Sequence, residues 1–246
     1  MMIFLLLSSF LYSKESITIA SNNYAPYTLI NEIESGVILD IVKEVFIEVG
    51  LDLQIQKYPW KRAEMSVLRG EIFAAAPYFK TEKRLSLYNF SEPLVYSFNR
   101  FFYNKKVFPE GFKWKNLRDF SKFQMGGVLG YWYLDSFDKA GLTTQLVPTD
   151  LQNLKKLVRN RIDFTVIDEL TGLKLIKDNL IENIENIGML EKEESFAPFY
   201  LLISKSYPNS LEITERFNRG LKIIRKNGKY LKILKKYNMP KHFSVD

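Results

Sequence analysis

Apolar residues in the first third of the chain switch repeatedly between strand spacing and helix spacing. Residues 16–20 alternate as a strand does, and residues 42–49 place apolar side chains at helical intervals before Gly50. A second strand and helix occupy residues 51–68, and residues 73–76 form a short buried run. The order strand, helix, strand, helix, strand predicts an α/β unit in which helices flank a sheet.

The second half of the chain repeats this order. Residues 125–129 predict a strand, and Thr149 begins a capping box that opens a helix with an apolar stripe. Residues 164–167 predict a buried strand that carries Asp168 to its end. The sequence therefore predicts a second α/β unit built on the same plan.

Two segments connect these units. The extended aromatic residues 96–103 lead out of the first unit, and the chain must return near residues 195–203 before its C-terminal helices. We therefore predict two α/β lobes joined by two hinge strands, with a cleft between them. The predicted divisions are a first lobe at residues 14–100, a second lobe at residues 101–197, and a return to the first lobe at residues 198–246.

The N-terminal residues 1–13 predict a secretory signal peptide. Their apolar run is too short to span a bilayer and gives way to small and polar residues, although a positively charged leading region is missing. The chain has no cysteine, so no disulfide, thiolate metal site or lipid-modified cysteine is available. We therefore expect a free soluble protein in a periplasm.

Composition excludes several classes of function. The net charge of +7 is spread along the 246 residues without a nucleic-acid-binding motif, so we expect no nucleic-acid partner. The single histidine, His242, lies near the C-terminus, and no Walker or dinucleotide-binding pattern is present. We therefore predict no catalytic residue, no metal and no cofactor.

Two charged residues at predicted loop positions are candidates for ligand recognition. Arg84 offers a planar fork of donors that suits a carboxylate, or it is one of many exposed basic side chains. Asp168 either accepts from an ammonium group or caps the helix that follows it. Tyr24 and Trp60 lie on predicted loops, where their rings either face a ligand or join the core. The residues alone leave each of these alternatives open.

With these residues in place, the chain resembles the periplasmic solute-binding proteins of family 3, which serve ABC importers of polar amino acids. The resemblance runs from about Ile17 to Tyr237 and rests on the order and spacing of several short marks. They are Tyr24-Ala25-Pro26-Tyr27, the approach to the first helix at residues 36–40, Gly70, Thr81-Glu82-Lys83-Arg84, Phe90-Ser91-Glu92-Pro93-Leu94, Asn160-Arg161-Ile162-Asp163 and Asp168.

The resemblance implies a type II periplasmic-binding fold and a non-catalytic, monomeric protein. Such a protein closes on a small zwitterionic or anionic solute, an amino acid or a derivative, and presents it to a membrane permease. The resemblance places the ligand's carboxylate on Arg84 and its ammonium on Asp168. It places aromatic rings of Tyr24 and Trp60 against the ligand. Three further predicted contacts are Tyr78, Tyr131 and Trp132.

The chain departs from the family pattern inside the predicted site. Phe73 stands where an aspartate is common, and Pro77, Tyr78 and Phe79 stand where small hydroxyl residues are usual. The bulky residues 131–133 also reshape the predicted pocket. These departures leave open a ligand other than a standard amino acid.

Two other functions are compatible with the same scaffold. One is an enzyme such as a dehydratase, which requires a positioned acid, for which Glu169 is the candidate. The other is a periplasmic sensing subunit that passes a ligand signal to a receptor. Turnover of a substrate distinguishes the first of these, and neighbouring genes for a permease and an ATPase distinguish the second.

Overall fold

The computed structural model describes residues 16–30 and 35–245. The predicted signal peptide lies outside the described residues. Within them, no helix combines the length and the apolar character needed to cross a membrane.

Strands and helices alternate through most of the described chain. The strands are β1 (Ser16–Ser21), β2 (Asp52–Lys57), β3 (Ala74–Tyr78), β4 (Asn89–Phe90), β5 (Tyr96–Asn104), β6 (Met125–Val128), β7 (Thr144–Val147), β8 (Phe164–Asp168), β9 (Ile187–Pro198) and β10 (Tyr200–Ile203). The α-helices are α1 (Val37–Glu48), α2 (Trp60–Leu68), α3 (Glu82–Leu87), α4 (Leu134–Lys139), α5 (Asp150–Val158), α6 (Glu169–Asn179), α7 (Ser210–Lys226) and α8 (Lys229–Lys236).

The strands form two sheets, and each sheet mixes parallel and antiparallel pairs. The first sheet has the order β2-β1-β3-β10-β4, and the second has the order β7-β6-β8-β5-β9. In each sheet three neighbouring strands pair in parallel. In the first sheet β10 pairs antiparallel with β3 and β4, and in the second sheet β5 pairs antiparallel with β8 and β9. The predicted fold class, α/β with two sheets flanked by helices, is confirmed.

Strand β5 differs from the prediction in its sheet membership. It pairs with β9 from Tyr96 onward and with β8 from Asn99 onward. The predicted first lobe includes residues 96–100, and in the structure these residues pair with strands of the second sheet. We propose the first crossing at residues 91–95, and the domain bounds as a whole stay a prediction.

The C-terminal helices pack against the first sheet. The apolar stripe of α1 is buried together with Ile213, Phe217, Leu221 and Ile224 of α7 in one hydrophobic cluster that also contains Ile17 and Ile19 of β1. Tyr230 of α8 is fully buried there, and its hydroxyl donates to the Leu94 carbonyl oxygen at 2.8 Å. This packing fixes the loops that leave the carboxyl ends of β1 and β3.

A sharp turn at Gly36 locks the first of these loops. The Ile38 N–H donates to the Tyr27 carbonyl oxygen at 2.8 Å, and the Val37 N–H donates to the Pro26 carbonyl oxygen at 3.1 Å. Gly36 has a φ of +79°, and a Cβ added there would lie 2.6 Å from the Tyr27 carbonyl oxygen. Only glycine fits this position without moving the loop that carries Tyr24 and Tyr27.

We predict that Gly36→Ala lowers the free energy of unfolding more than the matched change Gly50→Ala. Gly50 has a φ of +69°, and a Cβ added there meets open space. Gly50→Ala should therefore lower the free energy of unfolding only by the cost of holding an alanine in the left-handed region, about 1–2 kcal/mol. Gly36→Ala should lower the free energy of unfolding by about 1–3 kcal/mol more than Gly50→Ala, because its added methyl group overlaps backbone atoms. Urea unfolding of both variants measures the difference, and equal losses would contradict this account of the loop.

Candidate functional site

A cavity lies where loops from the carboxyl ends of β1, β3 and β6 meet. Its volume is about 380 Å³ when the part that is open to solvent is counted. The lining residues are Tyr24, Trp60, Pro77, Tyr78, Phe79, Arg84, Gly130, Tyr131, Trp132 and Phe199. The structure therefore brings six of the seven predicted ligand contacts to one place, and the seventh, Asp168, does not line the cavity.

Aromatic rings from both lobes form most of the cavity wall. The rings of Phe79 and Trp132 lie 4.5 Å apart between centroids, and those of Tyr24 and Tyr131 meet edge to face at 6.5 Å. Phe199, on the segment between β9 and β10, packs 4.4 Å from Phe79. Each of the first two contacts joins a loop of the first lobe to the loop that follows β6, so the wall changes if the lobes separate.

Arg84 is buried in this wall and already holds a carboxylate. Thr81 caps the short helix α3, accepting from the Arg84 N–H at 3.2 Å. The Arg84 Nε and Nη2 donate to Glu64 Oε1 and Oε2 at 3.2 and 3.1 Å, and Nη1 donates to the Phe79 carbonyl oxygen at 3.3 Å. The guanidinium also lies 4.8 Å from the centre of the Tyr78 ring. The charge of Arg84 is therefore balanced by Glu64, and the guanidinium edge formed by Nε and Nη2 already donates to that carboxylate.

Glu64 is a site residue that the sequence reasoning missed. It lies on α2, four residues after Trp60, and residues at that spacing share a helix face. Because Trp60 was a predicted ligand contact, its spacing from Glu64 was the feature of the sequence that could have indicated that Glu64 lies at the site. The partner of Glu64 lies 20 residues further along the chain, so only the tertiary fold shows the pairing.

The Tyr78 hydroxyl is also engaged within the first lobe. It donates to the Trp60 carbonyl oxygen at 2.7 Å, and burial raises the pKa of the Tyr78 phenol. Its proton therefore points to α2 and is not offered to the cavity. Tyr78 contributes its ring to the wall instead of a donor.

Asp168 is fully buried at the start of α6. Its Oδ1 accepts from the Thr171 N–H at 3.0 Å, which is helix capping, while Oδ2 accepts from the Ser97 hydroxyl at 2.7 Å and the Tyr27 hydroxyl at 2.9 Å. Burial raises the pKa of Asp168 to about 6, and these hydrogen bonds limit the rise. The capping alternative is thus present in the structure, and Tyr27 connects the carboxylate to the first lobe.

Asp150 is a second buried carboxylate, and the sequence reasoning treated it only as part of a capping box. The cap itself is present, since the Thr149 hydroxyl accepts from the Gln152 N–H at 3.3 Å. The Tyr131 hydroxyl donates to Asp150 Oδ2 at 2.7 Å, and Oδ1 has no hydrogen-bond partner. Burial raises the pKa of Asp150 to about 7, and the negative charge of Asp168 adds to the rise. Asp150 therefore stands directly behind a ring of the cavity wall.

The Tyr24 hydroxyl lies near both carboxylates. Burial, followed by the charges of Asp168 and Asp150, raises its pKa well above that of an exposed tyrosine. The side chain of Thr171 interacts with the buried Tyr24 hydroxyl and offsets part of this rise in pKa. We call Asp150, Asp168 and their phenolic neighbours Tyr24, Tyr27 and Tyr131 the acidic cluster. In the described part of the chain, no lysine, arginine or histidine forms a salt bridge with either carboxylate.

Glu169, the candidate acid of an enzyme, is held in an ion pair outside this cluster. Arg100 Nε lies 2.6 Å from Glu169 Oε2, and Arg100 also donates to the Glu191 carbonyl oxygen. The Glu169 carboxylate is therefore engaged by Arg100, and Glu169 does not line the cavity.

Comparison with known proteins identifies related sequences and folds. The family model described as bacterial extracellular solute-binding proteins, family 3, matches residues 17–240. No curated protein sequence matches the chain.

Solved structures share the fold over nearly the whole chain. A histidine kinase sensor domain with similarity to periplasmic binding proteins has a TM-score of 0.79 at 18% identity, covering 91% of this chain and 96% of its own. An ABC uptake transporter substrate-binding protein from Streptococcus pneumoniae with bound histidine has a TM-score of 0.78 at 17% identity, covering 94% and 95%. The arginine-, lysine-, histidine-binding protein ArtJ from Geobacillus stearothermophilus has a TM-score of 0.75 at 18% identity, covering 92% and 97%. At these identities the similarity establishes the fold, and the predicted type II periplasmic-binding fold is confirmed.

The raised pKa of Asp150 predicts how stability depends on pH. A carboxyl group whose pKa is higher in the folded state binds more protons there between pH 4 and pH 7, so the free energy of unfolding falls as pH rises through that range. Asp150→Asn removes this contribution. At pH 8 we expect the variant to be more stable than the wild type by about 1–3 kcal/mol, with no gain at pH 4.

Urea unfolding at both pH values measures this effect, and Asp138→Asn is the matched control because Asp138 is an exposed aspartate of the same lobe. Burial also raises the pKa values of Asp168 and Glu194. In the Asp150→Asn variant, the free energy of unfolding should therefore still fall as pH rises, but less steeply than in the wild type. If wild type and Asp150→Asn lose stability equally between pH 4 and pH 8, Asp150 is not the buried acid described above.

Proposed function

Because the chain belongs to family 3 of the bacterial extracellular solute-binding proteins, we propose that it captures a small polar solute between its lobes and delivers it to an ABC importer. The observation that carries this proposal is the cavity, whose walls come from both lobes. A solute that touches both walls favours the closed arrangement over the open one by the difference in its contacts. Hinge closure of this kind is a recurrent way to trap a ligand.

The proposed solute is an amino acid or a derivative of one. Two of the similar solved proteins are described by their amino-acid ligands, histidine in one and arginine, lysine and histidine in the other. We propose contacts from Tyr24, Trp60, Tyr78, Tyr131 and Trp132 through the cavity wall.

We keep Arg84 and Asp168 as proposed charged contacts, each with a condition. Three of the five N–H groups of Arg84 are used by Glu64 and Phe79. A solute carboxylate would therefore meet only the remaining N–H groups on Nη1 and Nη2. Asp168 lies behind Tyr24 and Tyr27, so it would act on a solute amine through the electrostatic field of the acidic cluster more than by direct contact.

The proposed location is the periplasm, and the proposed partner is the permease of an importer that recognises the closed monomer. A sensing role is the second candidate, because a histidine kinase sensor domain shares the fold. Uptake of labelled solute by cells with and without the gene separates the two roles. We propose no enzymatic activity, and the ion pair of Glu169 with Arg100 supports this.

Tryptophan fluorescence tests the proposed capture directly. Trp60 and Trp132 line the cavity, whereas Trp114 packs in the core of the second lobe. We expect a binding solute to change the emission of the wild type and of Trp114→Phe. In the double variant Trp60→Phe/Trp132→Phe the change should be lost or fall to a small fraction, because the remaining tryptophan does not contact the solute.

The panel for this titration contains the standard amino acids, their decarboxylated amines and small dicarboxylates. Small-angle scattering on the same samples should show a smaller radius of gyration when the solute is bound. A panel that leaves both emission and radius unchanged would contradict capture of an amino-acid-like solute. An emission change that persists in the double variant would place binding outside the cavity.

A further inference from the structure

We propose that the solute is an organic cation without a carboxylate group, held against the aromatic wall of the cavity by the rings and by the buried carboxylate of Asp150 behind that wall. This inference rests on the proposed function and specifies the chemical class of the solute. It follows from three features of the site: an occupied arginine, an unpaired acidic cluster and a wall of aromatic rings.

The first feature is that Glu64 already fills the position a solute carboxylate would take on Arg84. The two Glu64 oxygens accept from Nε and Nη2 in the bidentate geometry that makes arginine a carboxylate receptor. Glu64 is itself only a quarter exposed, and Arg84 only a tenth, by side chain. A solute carboxylate would have to displace Glu64 or approach a guanidinium whose charge is already balanced.

The neighbouring residues offer a solute carboxylate few replacement donors. Pro77 has no N–H group, the Phe79 side chain is apolar, and the Tyr78 hydroxyl donates to the Trp60 carbonyl oxygen. Among the described residues that line the cavity, Arg84 is the only one with a positively charged side chain. The cavity therefore recognises anions poorly.

The second feature is a surplus of buried negative charge. Asp150 is 5% exposed, and among the described residues its Oδ1 has no hydrogen-bond partner. Buried carboxylates are normally paired with a cation or with enough donors to replace water. Because Asp150 lies behind Tyr131 and does not line the cavity, a solute ammonium in the cavity would supply the missing positive charge across that ring.

The third feature is the aromatic wall, formed by Tyr24, Trp60, Tyr78, Phe79, Tyr131, Trp132 and Phe199. Aromatic faces attract cations, and sites for ammonium ligands commonly use several rings. Arg84 occupies the face of Tyr78 at 4.8 Å, which leaves the other rings for the solute. Asp150 sits behind this wall because Tyr131 donates its hydroxyl proton to it.

The wall and the two carboxylates also select against amino acids. An amino acid that placed its ammonium near Asp150 would bring its own carboxylate into a site that contains Glu64, Asp150 and Asp168. Like charges in a poorly solvated site repel one another, and such repulsion gives specificity against the wrong ligand. The decarboxylated amine of the same skeleton avoids this cost.

Isothermal titration calorimetry with matched pairs tests the inference. Agmatine with arginine, cadaverine with lysine, and histamine with histidine each differ by one carboxylate. We expect at least one amine to bind about tenfold or more tightly than its amino acid. The inference is overturned if the amino acid is the tighter ligand in each pair that binds, and that result would leave the proposed capture function intact. If none of the six compounds binds, the inference also fails, and the fluorescence panel then decides the fate of the proposed function.

Two substitutions probe the charges separately. Asp150→Asn keeps the size of the side chain and should weaken amine binding about 10- to 100-fold, while the exposed control Asp138→Asn should leave it unchanged. Glu64→Ala frees the Arg84 fork, so the ratio of amino-acid to amine affinity should rise about tenfold or more. If the Glu64→Ala variant does not fold, the same measurement is made with Glu64→Gln.

Thermal melts of each variant confirm that it is folded before titration. Equal amine affinity in Asp150→Asn and wild type would contradict the role of Asp150. An unchanged affinity ratio in the Glu64 variants would show that Glu64 does not occupy the carboxylate position. Either of these results overturns the corresponding half of the inference.

Discussion

Two buried carboxylates, neither of which forms a salt bridge with any residue that the structure describes, set the character of the cleft. Asp150 and Asp168 lose their water on folding, and burial raises their pKa values to about 7 and about 6. Both are partly satisfied, Asp150 by Tyr131 and Asp168 by Tyr27, Ser97 and Thr171. The remaining unfavourable burial is tolerated because the rest of each lobe is a well-packed apolar core. Sites that must bind a ligand commonly keep such locally unfavourable groups.

The positive charge of the same cleft is neutralised in advance. Arg84 pairs with Glu64 of the same lobe. The cavity wall therefore contains a charge-balanced ion pair instead of an arginine that is free to bind an anion. The two lobes consequently differ in electrostatic role. The first lobe supplies rings held by the Arg84–Glu64 pair, and the second lobe supplies the negative field behind Tyr131. A solute that carries positive charge and a planar or apolar body matches both, and its contacts with each lobe would favour closure.

Periodicity predicted the two-lobed α/β architecture because strands and helices differ in the spacing of their apolar residues, and Gly50 and Thr149 mark helix ends. The same local reasoning placed Arg84, Tyr24 and Trp60 in predicted loops, and the resemblance to family 3 implied that they contact a ligand; all three line the cavity. It did not show what Glu64 and Asp150 pair with, because their partners are 20 and 19 residues away along the chain. In addition, Asp150 follows Thr149 in a helix-capping pattern, and this pattern alone accounts for an aspartate at that position without a role in binding.

Identification of the native ligand shows whether the cleft selects a cation. The protein would be purified from its native cells without denaturant and then denatured, and the released small molecules would be identified by mass spectrometry. The account predicts an amine or other organic cation without a carboxylate, at about one molecule per protein. It predicts loss of that compound from the Asp150→Asn variant. Release of a standard amino acid or a dicarboxylate at that stoichiometry would contradict it.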